Sequence, residues 1–208
     1  MTYQLHCLGE SGHSYKVALF LELARLDWQP VFIDFFKGQT RDPAWRAEVN
    51  AMGEAPVLVT SETSLTQSGN ILLWLMEQTG QFAGDTPEDV QEIRRWLFWD
   101  THKMSAVAAT TRFMLNFLPE SKRSADVIGF HQARLNDALK LLENHLTTRQ
   151  WLVGRNVTVA DFACCSYLFY PEPFGFDRAD WPAIDRWLSG IQSLDGWKHP
   201  YDLMPRAA

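Results

Sequence analysis

A single change of pattern near residue 85 divides this chain. Before it, short β-rich runs alternate with helical periodicity. After Gly84-Asp85-Thr86-Pro87 only helical periodicity remains. Residues 3–8 read as a strand ending at Gly9. Residues 14–26 carry apolar side chains at Val17, Leu19, Phe20, Leu21, Leu23 and Leu26, the spacing of a well-buried helix. Residues 29–34 form a second strand, and two parallel strands joined by a helix make a βαβ unit. A short helix is expected around Pro43. Residues 56–59 and 64–66 lie close enough to pair as a hairpin. Residues 68–79 form a helix with Gly80 as its stop. Beyond the break, helices are expected over 87–118, 124–146, 158–170 and 181–191. The order βαβ, ββα, then helices predicts an α/β domain over residues 1–80, a linker at 81–86 and an all-α bundle over 87–208.

Composition narrows the function. The 208 residues are enough for a sizeable core. Nine Trp and thirteen Phe suit a helical core or a pocket for flat apolar ligands. The formal charge is −6 and no Lys/Arg block occurs, which argues against nucleic acid and anionic membrane as partners. The first residues lack the basic and apolar regions of a signal peptide, and no apolar run is long enough to span a bilayer. Cys7, Cys164 and Cys165 form no Cys-x-x-Cys motif, so they read as buried small hydrophobes in a reducing cytoplasm.

Ser11 stands in the turn between strand and helix, where free N–H groups and the positive end of the helix suit an anion. The bland alternative is that Ser11 or Ser14 caps the helix. Ser14 is the better pure cap, because it immediately precedes the apolar periodicity. Gly9-Glu10-Ser11-Gly12 brings its second glycine one residue too early for a hydrolase elbow. His131 and His145 share a helix but would lie about 21 Å apart, too far to share a metal. The remaining His residues also lack ligand spacing.

Four segments in this order resemble the glutathione transferase family. They are Ser11-Gly12-His13-Ser14-Tyr15-Lys16-Val17, Gly53-Glu54-Ala55-Pro56-Val57-Leu58, Thr66-Gln67-Ser68 and Thr158-Val159-Ala160-Asp161. The similarity covers nearly the whole chain, although Asn50-Ala51-Met52-Gly53 departs from the usual Asn-Pro-x-Gly. It implies a thioredoxin-like N-terminal domain that binds glutathione as cosubstrate, and a helical second domain.

The resemblance also implies roles. Ser11 would hydrogen-bond the glutathione sulfur and favour its thiolate. A thiol pKa near ~8.5 must fall by about two units, roughly 3 kcal/mol, for useful ionisation at neutral pH. A charge-assisted hydrogen bond of about 1.5–3 kcal/mol and a helix end of about 0.3–1 kcal/mol supply that. A cis peptide before Pro56 would leave the Val57 N–H and C=O unpaired by the sheet, free to pair with an extended glutathione beside Ala55, Pro56 and Val57. Gln67 and Ser68 would hold the γ-glutamyl carboxylate, and Gln39 with Lys37 the glycyl carboxylate. Asp100 would reach across a two-fold axis to the ligand's ammonium in a homodimer, or else sit on a solvated face. Val90, Ile93, Leu97 and Met104 form a stripe that docks on the core, which leaves Trp96 and Trp99 for an acceptor pocket or a partner subunit. Thr158 and Asp161 would make a structural capping box. The reaction implied is transfer of the glutathione thiolate to a small apolar electrophile. The rival readings are a non-enzymatic binding module and a glutathione-dependent disulfide reductase or peroxidase.

Overall fold

The computed structural model describes residues 2–207. They fall into two compact units. One comprises the chain up to Gln81 together with everything from Leu194 onward, and the other is Phe82–Ser193.

The first unit is built on strands β1 (Tyr3–Cys7), β2 (Trp28–Phe32), β3 (Val57–Val59) and β4 (Ser64–Thr66), in the order β2-β1-β3-β4. β1 and β2 run parallel, with Leu5 opposite Pro30. β3 is antiparallel to both β1 and β4. Pro30 is tolerable because β2 is an edge strand, where a missing donor costs no ladder bond. Helix α1 (Gly12–Leu23) crosses over between the parallel strands and is buried without interruption from Ser14 to Leu21. The short α2 (Pro43–Glu48) is capped by Asp42, whose carboxylate accepts the N–H groups of Ala44 and Trp45. α3 (Ser68–Thr79) buries Ile71, Leu72 and Leu75 completely. It stops at Gly80, which adopts φ +67° and returns its N–H to Met76. A left-handed residue at that point is what a glycine supplies without steric cost.

The second unit is helical: α4 (Pro87–Trp99), α5 (Ser105–Asn116), α6 (Ala125–Leu146), α7 (Val159–Cys165) and α8 (Pro182–Gln192). Thr86 and Asp89 cap α4 reciprocally. The single helix expected over 87–118 is divided by a π-helical turn at Asp100–Met104. The cause is a double link five residues long. Ser105 donates its N–H to the Asp100 carbonyl and its hydroxyl, at 2.7 Å, to the Asp100 carboxylate. An α-helix closes its bonds over four residues, so this pair adds one residue to the turn. Trp96 is 1% exposed, its ring edge-on to Trp99 and to His145, so it belongs to the core of this unit and not to a second contact.

Asp161 organises the rest of this unit. It is 0% exposed, and it accepts hydrogen bonds from the Thr158 N–H and hydroxyl, the Leu152 N–H and the Trp187 indole, all within 3.1 Å. Burial pushes its pKa up to about 6, against the opposing pull of those four donors. α7 ends at Cys165, five residues earlier than expected, and continues as a turn in which Leu168 donates to Cys165.

The boundary expected at the C-terminal end also differs. Residues after Leu194 pack on the first unit instead of the helical bundle. The Tyr15 hydroxyl donates to the Lys198 carbonyl at 2.9 Å, Lys198 pairs with Glu22, and Arg25 pairs with Asp195. A one-turn helix α9 (Pro200–Leu203) follows, and the Gly9 N–H then donates to the Pro205 carbonyl at 2.7 Å.

Candidate functional site

The candidate residues of the first unit gather at one end of its sheet, where β1 hands over to α1. Ser11 is the N-cap of α1. Its hydroxyl oxygen accepts the Ser14 N–H at 3.2 Å, and its own backbone is extended. Ser14 is therefore not the cap but part of the first turn. Its hydroxyl is fully buried and has no hydrogen-bond partner among the described residues. A serine hydroxyl can accept and donate at once. Capping the helix consumes an acceptor lone pair of Ser11 and leaves its proton for an incoming anion.

Two bonds tie this turn to the other expected segments. His13 Nδ1 lies 3.3 Å from the Ser68 hydroxyl, which joins the start of α1 to the start of α3. Burial, with Lys16 adding to it, drives the His13 pKa down to about 3, so the ring is neutral at physiological pH. The Gln67 side-chain amide donates to the Glu54 carboxylate at 2.6 Å, which joins α3 to the loop before Pro56. Sequence reading passed over His13 as a site residue, because its partner is 55 positions away and no local pattern announces it.

The start of α3 is unusual. Gln67 precedes it at φ +67° and makes no side-chain cap. That conformation costs a non-glycine residue about 1–3 kcal/mol. The N–H groups of Ser68 and Gly69 have no partner among the described residues, whereas α1, α2, α4 and α6 are each capped by a side-chain oxygen. Unused donors at a helix start attract a carboxylate.

The Ala55–Pro56 peptide is cis. Val57, however, is not free of the sheet: it is registered opposite His6 on one side and Thr66 on the other. Ala55 lies just outside the ladder and is half-buried, and its N–H and C=O have no partner among the described residues. The pair of main-chain groups open to an added strand is thus on Ala55. The preceding loop lacks the usual proline but is ordered by Asn50, whose side chain bonds the Glu54 carbonyl and the Met52 N–H.

The remaining candidates are engaged within their own segments. Gln39 uses its carbonyl to accept the Asp34 N–H at 2.7 Å, and Lys37 pairs with Asp34, so both are engaged within their own loop. Asp100 is 2% exposed and bonded to Ser105 inside the second unit. Its carboxylate is thus held inside that unit by the Ser105 hydroxyl. Cys7, Cys164 and Cys165 are all buried. Burial pushes the Cys7 thiol up to about 12, which leaves it unreactive. Among the described residues no cluster of three or more His, Cys, Asp or Glu side chains could hold a metal ion, and no helix is long and apolar enough to cross a membrane.

Comparison with known proteins agrees with this geometry. Residues 10–78 match the family profile described as "Glutathione S-transferase, N-terminal domain", and residues 106–195 match "Glutathione S-transferase, C-terminal domain". The chain is 28% identical to the disulfide-bond oxidoreductase YfcG of Escherichia coli, across 88% of this chain and 86% of that one. A possible glutathione S-transferase from Rhodopseudomonas palustris is 30% identical, covers 99% of this chain and 92% of its own, and superposes with a TM-score of 0.86. A glutathione S-transferase from Pseudomonas fluorescens is 28% identical over 96% of this chain and 99% of its own, with a TM-score of 0.88. The chain belongs to the glutathione S-transferase family, with glutathione as its ligand.

Proposed function

We propose that this protein binds glutathione along the edge formed by Ala55, Gln67 and Ser68, ionises its thiol beside Ser11, and transfers the thiolate to a small apolar electrophile. The observation that carries this reading is the linkage of three segments, by His13–Ser68 and Gln67–Glu54, around the start of α1. Ala55 offers an N–H and a C=O to the cysteinyl unit as an added strand would, flanked by Pro56 and by Val57 in the ladder. The open amides of Ser68 and Gly69 receive the γ-glutamyl carboxylate. Glu54, bonded to Gln67 and exposed, replaces Asp100 as the partner of the ligand's ammonium. The sulfur lies at the α1 cap, where the Ser11 proton and the helix end favour the anion. Catalysis then consists of thiolate supply and proximity, with the cosubstrate and not a protein side chain as nucleophile.

A second reading has its own support. The Escherichia coli relative is named a disulfide-bond oxidoreductase, and the same thiolate could attack a disulfide sulfur instead of carbon. A panel of aryl halides, isothiocyanates, organic peroxides and small disulfides separates the two. Turnover of carbon electrophiles supports transfer; turnover of disulfides alone replaces it with reduction; failure to bind glutathione removes both. A cytoplasmic homodimer completes the proposal. Phe98 on α4 is 75% exposed, an apolar surface suited to a partner copy, and sedimentation as a monomer at micromolar concentration would refute that part.

A further inference from the structure

We propose that the C-terminal strap, residues 194–207, completes the thiol site, with Arg206 offsetting the charge of the Glu10 carboxylate one residue from Ser11. The inference rests on the reading of Ser11 as the thiolate's partner. Three observations carry it. Glu10 is a buried acid, 8% exposed, in the turn that leads into α1. Arg206 meets its carboxylate at 3.4 Å, and the Ala207 N–H meets it at 3.5 Å. The strap also closes on the neighbouring backbone. Gly9 donates to the Pro205 carbonyl, and a Cβ on Gly9 would come within 2.8 Å of Arg206 Cγ and 3.2 Å of the Pro205 oxygen. Only a glycine leaves room for this contact. Stacking of the Arg206 guanidinium on Tyr201, 3.7 Å from the ring centroid, fixes the cation in place.

The physical consequence is electrostatic. A carboxylate next to the sulfur site disfavours a second anion there and raises the thiol pKa. Arg206 cancels that effect. Other charged or titratable side chains on the elements that meet at the turn are His6 and Cys7 on β1, His13, Tyr15 and Lys16 on α1, and His199, Tyr201 and Asp202 on the strap. Lys198 pairs with Glu22 in the last turn of α1, and Arg25, beyond that helix, pairs with Asp195. Arg206 is the strap's cation on Glu10 itself. Its side chain is half exposed, so solvent screening reduces the effect to about half a unit to one unit of thiol pKa.

The test is a double-mutant cycle on the full chain, read as the apparent pKa of bound glutathione from thiolate ultraviolet absorbance and from the pH dependence of kcat/KM. Arg206→Ala should raise that pKa by about half a unit to one unit, with a loss of roughly three- to tenfold in rate below it. Glu10→Gln should lower it, and the double variant should return close to wild type. A merely structural strap predicts a different pattern: both single variants lose rate together, the pKa stays put, and the double variant is no better than either. That pattern overturns the proposal. If wild type itself shows no bound thiolate, the reading of Ser11 fails first, and the two failures are thereby distinguished.

Discussion

Replacing Ser11 removes two interactions at once, and their magnitudes can be separated. The hydroxyl oxygen caps α1 through the Ser14 N–H. Loss of such a cap to alanine costs about 0.5–2 kcal/mol of stability, but loss to glycine costs only a few tenths. The hydroxyl proton, on the proposed mechanism, donates to the thiolate. That charge-assisted bond contributes about 1.5–3 kcal/mol, or roughly one to two units of thiol pKa. Ser11→Ala should therefore lower both the melting temperature and the thiolate fraction. Ser11→Gly should lower the thiolate fraction by the same amount while staying near wild-type stability. Ser11→Thr, which keeps a hydroxyl, should recover much of both. The assay is the pH–rate profile of each variant alongside its thermal unfolding curve. An unchanged kinetic pKa in Ser11→Gly would refute the reasoning, because it would leave Ser11 as a cap and move thiolate stabilisation to backbone donors.

Asp161 supplies a pH prediction. Its folded-state pKa of about 6 lies above the ordinary 3.8, so its favourable contribution is complete below about pH 4 and is lost as pH rises through 6, by roughly 3 kcal/mol. Urea unfolding of Asp161→Asn across that window should show a lower stability without this slope; a slope equal to wild type would contradict the burial argument. Asp100→Asn should leave glutathione affinity unchanged while costing about 1–3 kcal/mol of stability, since it disturbs a buried charged hydrogen bond. Glu54→Gln should do the reverse, weakening glutathione binding about threefold with little effect on folding. Calorimetric titration of both variants checks the pair, and weakened binding in Asp100→Asn would restore it to the site.

Local pattern carried the fold where the determining forces are local. The βαβ order, the stop at Gly80 and the Thr158–Asp161 capping box all depend on spacings of a few residues, and each is present. The π-turn at Asp100 escaped because both flanks share the helical period, and one added residue changes no local composition. Asp100 itself reads as a surface charge until Ser105 is seen to enclose it. The strap was unreadable for a different reason: its contact with Glu10 spans 196 positions. In the site, Ser68 was legible as a helix start and the Ala55–Pro56 step as a turn, whereas Ser11, and not the Ser14 that precedes the apolar periodicity, caps α1. The choice between Ala55 and Val57 was not, because it depends on where the ladder to His6 and Thr66 begins.

The central claim is that glutathione occupies the edge between the starts of α1 and α3. Amide NMR of the protein titrated with glutathione tests it most directly. The account predicts saturable shifts concentrated at Ser11, Ala55, Ser68 and Gly69, with the Ser68 and Gly69 amides moving as they acquire the carboxylate they lack. Saturable shifts confined to the second unit, or no shifts at millimolar glutathione, would contradict it.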